Sequence, residues 1–313
     1  MAVSAQKFRR GTKQLVMRQA IRATARLPIA HQRGILRSLF TLAGGLPMVR
    51  RKVRDNMRLA LGPDVPADAA SLYFRRVGWF MSSSLAIFHH GLDATPVVDE
   101  VKFDNSVQLF DEAVAEGRGV VITTPHWSGY EIIGGVLNRR HPTAIMGRQS
   151  SSPEHMARKL RWYDALGVQA LLRPSGVSSM KDAVSFLSVL KKGKALVITP
   201  DLLAESGQGV ETQVFGRPAR LHGGAFAIAN TARAPLLRLT CQWQSDRTVV
   251  ITWERAPAMV RSSDRETAVR DAAQDWCRWF EARLATSPEN WLFWLDKRWT
   301  ALLRSTPVGA AAE

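Results

Sequence analysis

Between Phe110 and Ala285 the chain switches repeatedly between two hydrophobic periods, and this alternation limits the possible folds more than any other feature. Phe110 to Gly117, Trp127 to Leu137, Glu154 to Leu166, Met180 to Leu190, Gly223 to Ala232 and Glu266 to Ala285 carry helical spacing. Between them lie short β-branched or apolar runs: Gly119 to Thr124, Thr143 to Met146, Val168 to Leu172, Lys194 to Thr199, Pro235 to Trp243 and Thr248 to Trp253. Strands that read as unbroken apolar runs are covered on both faces. Helices alternating with such strands predict an α/β fold with a mostly parallel central sheet flanked by helices. Arg50 to Gly91 reads as helices, with Val53, Met57 and Leu61 every four residues. No Gly/Ser/Pro-rich linker and no internal repeat interrupts the 313 residues. The expected organisation is a basic, amphipathic helical region over 1–90, one α/β domain over 91–305 and a disordered tail at 306–313.

The formal charge of +16 predicts attraction to a polyanion, either nucleic acid, an acidic membrane surface or an acidic carrier protein. Most of the excess sits in the first 60 residues, where fourteen Lys and Arg face only Asp55. Leu15, Val16, Ile21 and Leu27 are set against Arg18, Arg22 and Arg26, the pattern of a basic amphipathic helix. Such a helix either lies in a membrane interface or forms a solvated basic face. A spanning helix needs about 20 apolar residues. The longest charge-free apolar stretch near the N-terminus, Ser38 to Val49, is shorter and contains Gly44, Gly45 and Pro47, so it is expected to dip into a membrane without crossing it. The N-terminus lacks the apolar stretch and cleavage site of a signal peptide, and Cys241 and Cys277 form no metal, redox or disulfide pattern, which predicts a reducing, cytoplasmic location. No zinc-finger or aromatic RNA-binding motif accompanies the basic charge, so nucleic acid is not the expected partner.

In open α/β sheets ligands gather where strands end and helices begin. Two such junctions carry polar groups: Pro125 to Glu131, and Pro200-Asp201. His126 follows a buried strand directly, and Glu131 lies in the first turns of the next helix. On one continuous helix a separation of five would put them on different faces, whereas across a strand-to-helix elbow they can converge. A neutral imidazole can take the proton of a hydroxyl that attacks a carbonyl, and a nearby carboxylate fixes its tautomer. A lone His-x4-Glu is a weak pattern, since it often occurs by chance and a lone histidine is more often structural. Gly117-x-Gly119 precedes its strand and lacks a third glycine, so it is no dinucleotide fingerprint; Ser128 has no Gly-x-Ser-x-Gly elbow.

The segment Thr124-Pro-His-Trp-Ser-Gly-Tyr-Glu131 resembles the His-x4-Asp/Glu motif of the lysophospholipid acyltransferase superfamily, in the Glu form of the lipid A biosynthesis (lauroyl and myristoyl) acyltransferases. Further blocks agree in order. Arg148 with Ser152-Pro153 resembles the family's Arg before Asn-Pro, and Ile198-Thr-Pro-Asp201 its strand ending in Pro-Asp-Gln. Val214-Phe-Gly-Arg-Pro218 with Gly224 resembles Phe-Phe-Gly-x-Pro and its following Gly, while Pro288-Glu-Asn-Trp-Leu-Phe-Trp294 and Lys297-Arg298-Trp299 resemble the closing block. The resemblance runs from about Leu27 to Trp299. Leu202 stands where the family usually has Gln, Ser152 where it has Asn, and His222-Gly223 in a stretch usually rich in Thr and Pro.

The resemblance implies an acyltransferase on the cytoplasmic face of a bacterial inner membrane, peripheral or monotopic. It would move a fatty acyl chain from acyl carrier protein or acyl-CoA to a hydroxyl of a lipid A precursor or related glycolipid, with no metal or organic cofactor. Carried over by position, His126 is the general base and Glu131 its partner. Arg148 holds the oxyanion or an acceptor phosphate, or is a surface ion pair, and Asp201 orients Arg148 or Arg220 or caps its loop. Trp276 and Phe280 recur at helical spacing and are expected in the core; Trp291, Trp294 and Trp299 are expected to border the acyl groove. A lysophospholipid, an aminolipid or a mannosylated lipid are alternative acceptors, and a non-catalytic nucleic-acid-binding protein is the alternative from another class.

Overall fold

The computed structural model describes residues 27–150, 152–174, 180–205, 207–259 and 264–307. Helices α1 (Ile29–Gly45), α2 (Pro47–Leu61), α3 (Ala69–His90) and the short α4 (Val97–Glu100) come first. They are followed by β1 (Val101–Phe103), α5 (Val107–Ala115), β2 (Val120–Thr123), α6 (Tyr130–Arg140), β3 (Thr143–Arg148), α7 (Pro153–Leu166), β4 (Gln169–Arg173), α8 (Met180–Lys191) and β5 (Ala195–Ile198). A hairpin, β6 (Val210–Val214) and β7 (Arg217–Leu221), precedes α9 (Gly224–Ala232), β8 (Leu236–Trp243), β9 (Val249–Arg255) and α10 (Arg265–Thr286). Two 3-10 turns, Pro288–Asn290 and Leu292–Leu295, lead into α11 (Lys297–Leu303).

The main sheet has seven strands in the order β1-β9-β8-β2-β5-β3-β4, and every pairing is parallel except β8 with β9. This is the α/β architecture that the alternating pattern predicts. Strands β2 and β5 at its centre are buried at every residue, which is why they read as unbroken apolar runs rather than as alternating ones. Because β2, β3, β4 and β5 run the same way, their C-terminal ends open on one edge, where Thr123 pairs with Ile198 and Arg148 with Arg173. One contiguous core runs from Val53 to Leu303, so α2 and α3 share it with the sheet.

The apolar stretch from Ser38 to Val49 forms no single helix. Helix α1 ends at Gly45, Leu46 is extended, and Pro47 opens α2 at a position where its missing N–H costs nothing. Gly44 and Gly78 let α1 and α3 approach closely, since a Cβ on Gly44 would meet the Phe74 ring at 2.7 Å. Helix α1 is fixed to the body by Arg33, which donates to both oxygens of Glu100 at 2.8 and 2.5 Å; Trp79 Nε1 adds a third bond to Glu100 at 2.8 Å. The basic helix expected within residues 1–26 lies outside the described residues, as does the expected tail from residue 308 onward.

Helix α6 begins at Tyr130, three residues later than the sequence pattern predicts, because residues 126–128 are engaged elsewhere. Leu292 N donates to His126 O at 3.0 Å and Ser128 N to Asn290 O at 2.8 Å, so the C-terminal segment pairs with the elbow in extended form. Gly129 then turns the chain into the helix at φ 104°, and a Cβ there would lie 2.8 Å from the Trp79 ring. Gly193 also has positive φ, at 72°, but faces open space. Gly193→Ala is therefore expected to cost about 1 kcal/mol, the backbone penalty alone, and Gly129→Ala about 2–3 kcal/mol because Trp79 must also move. Thermal unfolding of the two variants checks this; equal shifts in Tm would mean that the Trp79 contact carries no weight.

Candidate active site

The pairing of β2 with β5 decides which side chains meet. Thr123 and Ile198 are partners in register, and both chains continue through a proline, so His126 and Asp201 each lie three residues beyond the same rung. Asp201 Oδ1 meets His126 Nδ1 at 2.7 Å, and its Oδ2 accepts the His126 backbone N–H at 2.8 Å. Oδ2 also accepts Trp291 Nε1 at 2.8 Å, and Trp299 Nε1 donates to the Asp201 carbonyl at 3.1 Å. The Asp201 side chain is fully buried and His126 is 12 % exposed. A buried carboxylate is tolerated when donors surround it, and here three converge on two oxygens. With Nδ1 committed to Asp201, Nε2 is the ring nitrogen left for a substrate. The rings of Tyr130 and Phe293 flank the imidazole, with centroids 4.6 and 4.4 Å away.

Glu131 lines the same cavity as His126, but its carboxylate is held by α7: Trp162 Nε1 donates to Oε2 and Tyr163 OH to Oε1, both at 2.9 Å. Burial, reinforced by the charge of Glu131, pushes the phenols of Tyr130 and Tyr163 well above their ordinary range, so both stay protonated. The elbow thus brings the two motif residues to one cavity, while the carboxylate touching the imidazole comes from the loop after β5. Arg148 stands at the cavity wall on the end of β3. Arg220 does not join them: it bonds Glu211 and the carbonyls of Gln208 and Gly209 on the hairpin, and lines a neighbouring cleft against α10. Asp201 accordingly orients His126 and not Arg220.

The cavity measures about 930 Å³. Its apolar wall includes Met146, Phe186, Leu187, Ile198, Ala227 and Ile228. Trp291, Trp294 and Trp299, expected at the groove, are buried in the core instead and are 0, 0 and 2 % exposed. Two of them hold Asp201, and Trp294 Nε1 donates to Pro288 O at 2.6 Å. The sequence reading missed this support because indole donors look the same in a core as at a rim. It also gave no role to Tyr130, Arg173 or Arg298, which line the cavity from three different elements. Of the departures from the family pattern, Ser152 caps α7 by accepting His155 N at 3.2 Å, a task that Asn performs equally well, whereas Leu202, His222 and Gly223 line the cavity.

Residues 14–301 match the family model described as bacterial lipid A biosynthesis acyltransferase. Among curated proteins, a phosphatidylinositol mannoside acyltransferase of Mycolicibacterium smegmatis is 25 % identical over 256 residues, covering 80 % of this chain and 79 % of that protein. One of the same name from Mycobacterium tuberculosis is 27 % identical over 194 residues, covering 61 % of this chain and 58 % of that protein. With a histidine presented to a cavity at the carboxyl edge of a parallel sheet, and a family match that spans nearly the whole of it, the chain belongs to the bacterial lipid A biosynthesis acyltransferase family and is an acyltransferase.

Proposed function

We propose that this protein transfers a fatty acyl group from a thioester, on acyl carrier protein or coenzyme A, to a hydroxyl of a glycolipid at a membrane surface. The observation that carries the reading is the His126–Asp201 hydrogen bond, with His126 lining a largely apolar cavity. The acceptor hydroxyl gives its proton to His126 Nε2 as its oxygen attacks the thioester carbonyl, and Asp201 stabilises the imidazolium that forms. Collapse of the tetrahedral intermediate expels the thiolate, which takes the proton back from His126, leaving an ester and a free thiol. In this scheme Glu131 is a positioning residue that fastens the start of α6 to α7 through Trp162 and Tyr163. Arg148, on the cavity wall, meets a negative charge of the substrate. A lipid A precursor is one acceptor of this class. A mannosylated lipid is the second reading, supported by the names of the relatives and by the Leu202 and His222 departures in the cavity wall.

The surface reading rests on α1, Leu46 and α2. Leu39, Leu42, Leu46 and Met48 are all exposed, Leu42 by 70 % and Met48 by 82 %, and Arg50, Arg51 and Lys52 lie exposed beside them. Apolar side chains flanked by basic ones suit the boundary of an anionic bilayer. Among the described residues no helix is long and apolar enough to cross a membrane. We place this surface on the cytoplasmic face of the inner membrane, where an acyl thioester would be at hand.

The scheme separates the two carboxylates. In an assay of purified enzyme with acyl thioesters and a total lipid extract, read by mass spectrometry, His126→Ala is expected to lose about a hundredfold or more. Asp201→Asn should approach that loss, while Glu131→Gln should retain the larger share of activity. Abolition by Glu131→Gln with near-normal turnover in Asp201→Asn would refute the assignment. Product mass identifies the acceptor, and a mannosylated product decides for the second reading.

Replacing both Leu42 and Met48 by Gln is expected to weaken sedimentation with anionic vesicles about a hundredfold or more, since each loses roughly 1.5–3 kcal/mol of apolar burial. Unchanged sedimentation would move the contact elsewhere.

A further inference from the structure

Asp201 fixes one atom of the His126 ring but not the plane of that ring. A single hydrogen bond at Nδ1 leaves the imidazole able to rock about the line from Nδ1 to Asp201 Oδ1, and rocking swings Nε2 away from an approaching hydroxyl. Two aromatic side chains close against the ring. Phe293 is the more nearly parallel, at 35° with the centroids 4.4 Å apart, and Tyr130 stands more steeply, at 60° and 4.6 Å. Both are pinned by contacts that do not involve the imidazole. The Tyr130 hydroxyl is bonded to Glu131, and burial keeps it protonated, so it donates. Glu131 is held in turn by Trp162 and Tyr163. Phe293 belongs to the second 3-10 turn, where three carbonyls in succession are bonded: Leu292 O accepts Tyr73 OH at 3.2 Å, Phe293 O accepts Asp296 N at 2.9 Å and Trp294 O accepts Asn56 Nδ2 at 2.6 Å. Tyr73 on α3 and Asn56 on α2 are buried, so the N-terminal helices fix this turn.

Packing alone explains aromatic rings around many buried side chains. Here the enclosed group is the one that has to become a cation during transfer. An aromatic ring attracts a cation within about 6 Å of its centroid, and the attraction is much weaker while the imidazole is neutral. It therefore lowers the barrier instead of tightening the ground state. We propose that Tyr130 and Phe293 are positioning residues for acyl transfer: they hold the plane of the His126 ring so that Nε2 stays directed at the acceptor hydroxyl, and they favour the imidazolium as it forms. The proposal rests on the acyl-transfer reading above. It also gives the motif glutamate a route to the base, since Glu131 holds the hydroxyl of one ring. Tyr130 lines the cavity, whereas Phe293 is not among its described lining residues, so Phe293 acts on the reaction through His126 and not through substrate.

Steady-state kinetics of the full chain in non-ionic detergent test this, with an acyl-coenzyme A or acyl carrier protein thioester, whichever wild type turns over, and a total lipid extract as acceptor. Phe293→Leu and Tyr130→Leu are each expected to lower kcat about tenfold, as loss of a ring contact to a forming cation predicts. KM for the thioester should stay within about twofold, since ground-state binding is untouched. Tyr130→Phe, which keeps the ring, should retain the larger share of kcat. Phe110→Leu removes a buried ring that stacks on Trp253 instead of on His126, and should match wild type. Melting curves establish that folded enzyme is compared, and where Leu prevents folding, Met fills the space without a ring. Unchanged kcat in both Leu variants, a rise in KM alone, or a loss in Tyr130→Phe equal to that in Tyr130→Leu overturns the proposal. His126→Ala separates the two layers. If it loses turnover while the ring variants do not, the base stands and the positioning role falls; wild-type turnover in His126→Ala, or none in wild type, removes the reading on which both depend.

Discussion

Asp201 sits beyond the reach of solvent and joins three parts of the chain that lie far apart in sequence. Its carboxylate takes the ring and backbone N–H of His126 and the indole of Trp291, and its carbonyl takes the indole of Trp299. Leaving any of these donors or acceptors unmatched in so dry a place would cost about 1–3 kcal/mol, more for a charged group. The interaction therefore fixes the elbow after β2, the loop after β5 and the C-terminal turns together. The backbone pairing of Leu292 with His126 and of Asn290 with Ser128 follows the same seam. The site has little freedom because the core beneath it is built from the same residues that hold His126.

Around this tie the cavity divides its work. Its lining joins apolar side chains, among them Met146, Phe186, Leu187 and Ile228, with the cations at the ends of β3 and β4. A parallel sheet produces such an arrangement readily, since every strand delivers its last side chain to one edge.

Much of the frame was legible in the residues. Alternating periods located nearly every strand and helix from Phe110 to Ala285, and the Pro-His and Pro-Asp junctions marked the sheet edge where His126 and Asp201 meet. The hairpin of β6 and β7 was not visible as such. Its turn places Phe215, a residue that rarely takes positive φ, at 53°, where its ring packs against Phe280, Trp291 and Trp299. Local propensity speaks against that conformation, and packing of the ring together with a bond from Phe215 N to Glu281 at 2.7 Å overrides it. The tryptophans misled for a related reason: an indole suits a membrane rim and a hydrogen-bonded core equally, and sequence carries no sign of which it has found.

What the sequence by itself determined is the set of elements, the family, and the histidine presented at a strand end, because these follow from local periodicity and short motifs. The partner of that histidine was decided only by tertiary structure. His126 and Glu131 are neighbours in the chain, yet the contact to Nδ1 comes from Asp201, which lies 75 residues away. Strand order is a property of the whole sheet: β2 pairs with β5 through a crossover that skips β3 and β4, and that rung sets two junctions face to face. The pairing of Arg148 with Arg173 has the same origin. Chemistry that depends on register between distant strands cannot be read along the chain, since spacing measures distance in sequence and the sheet measures it in space.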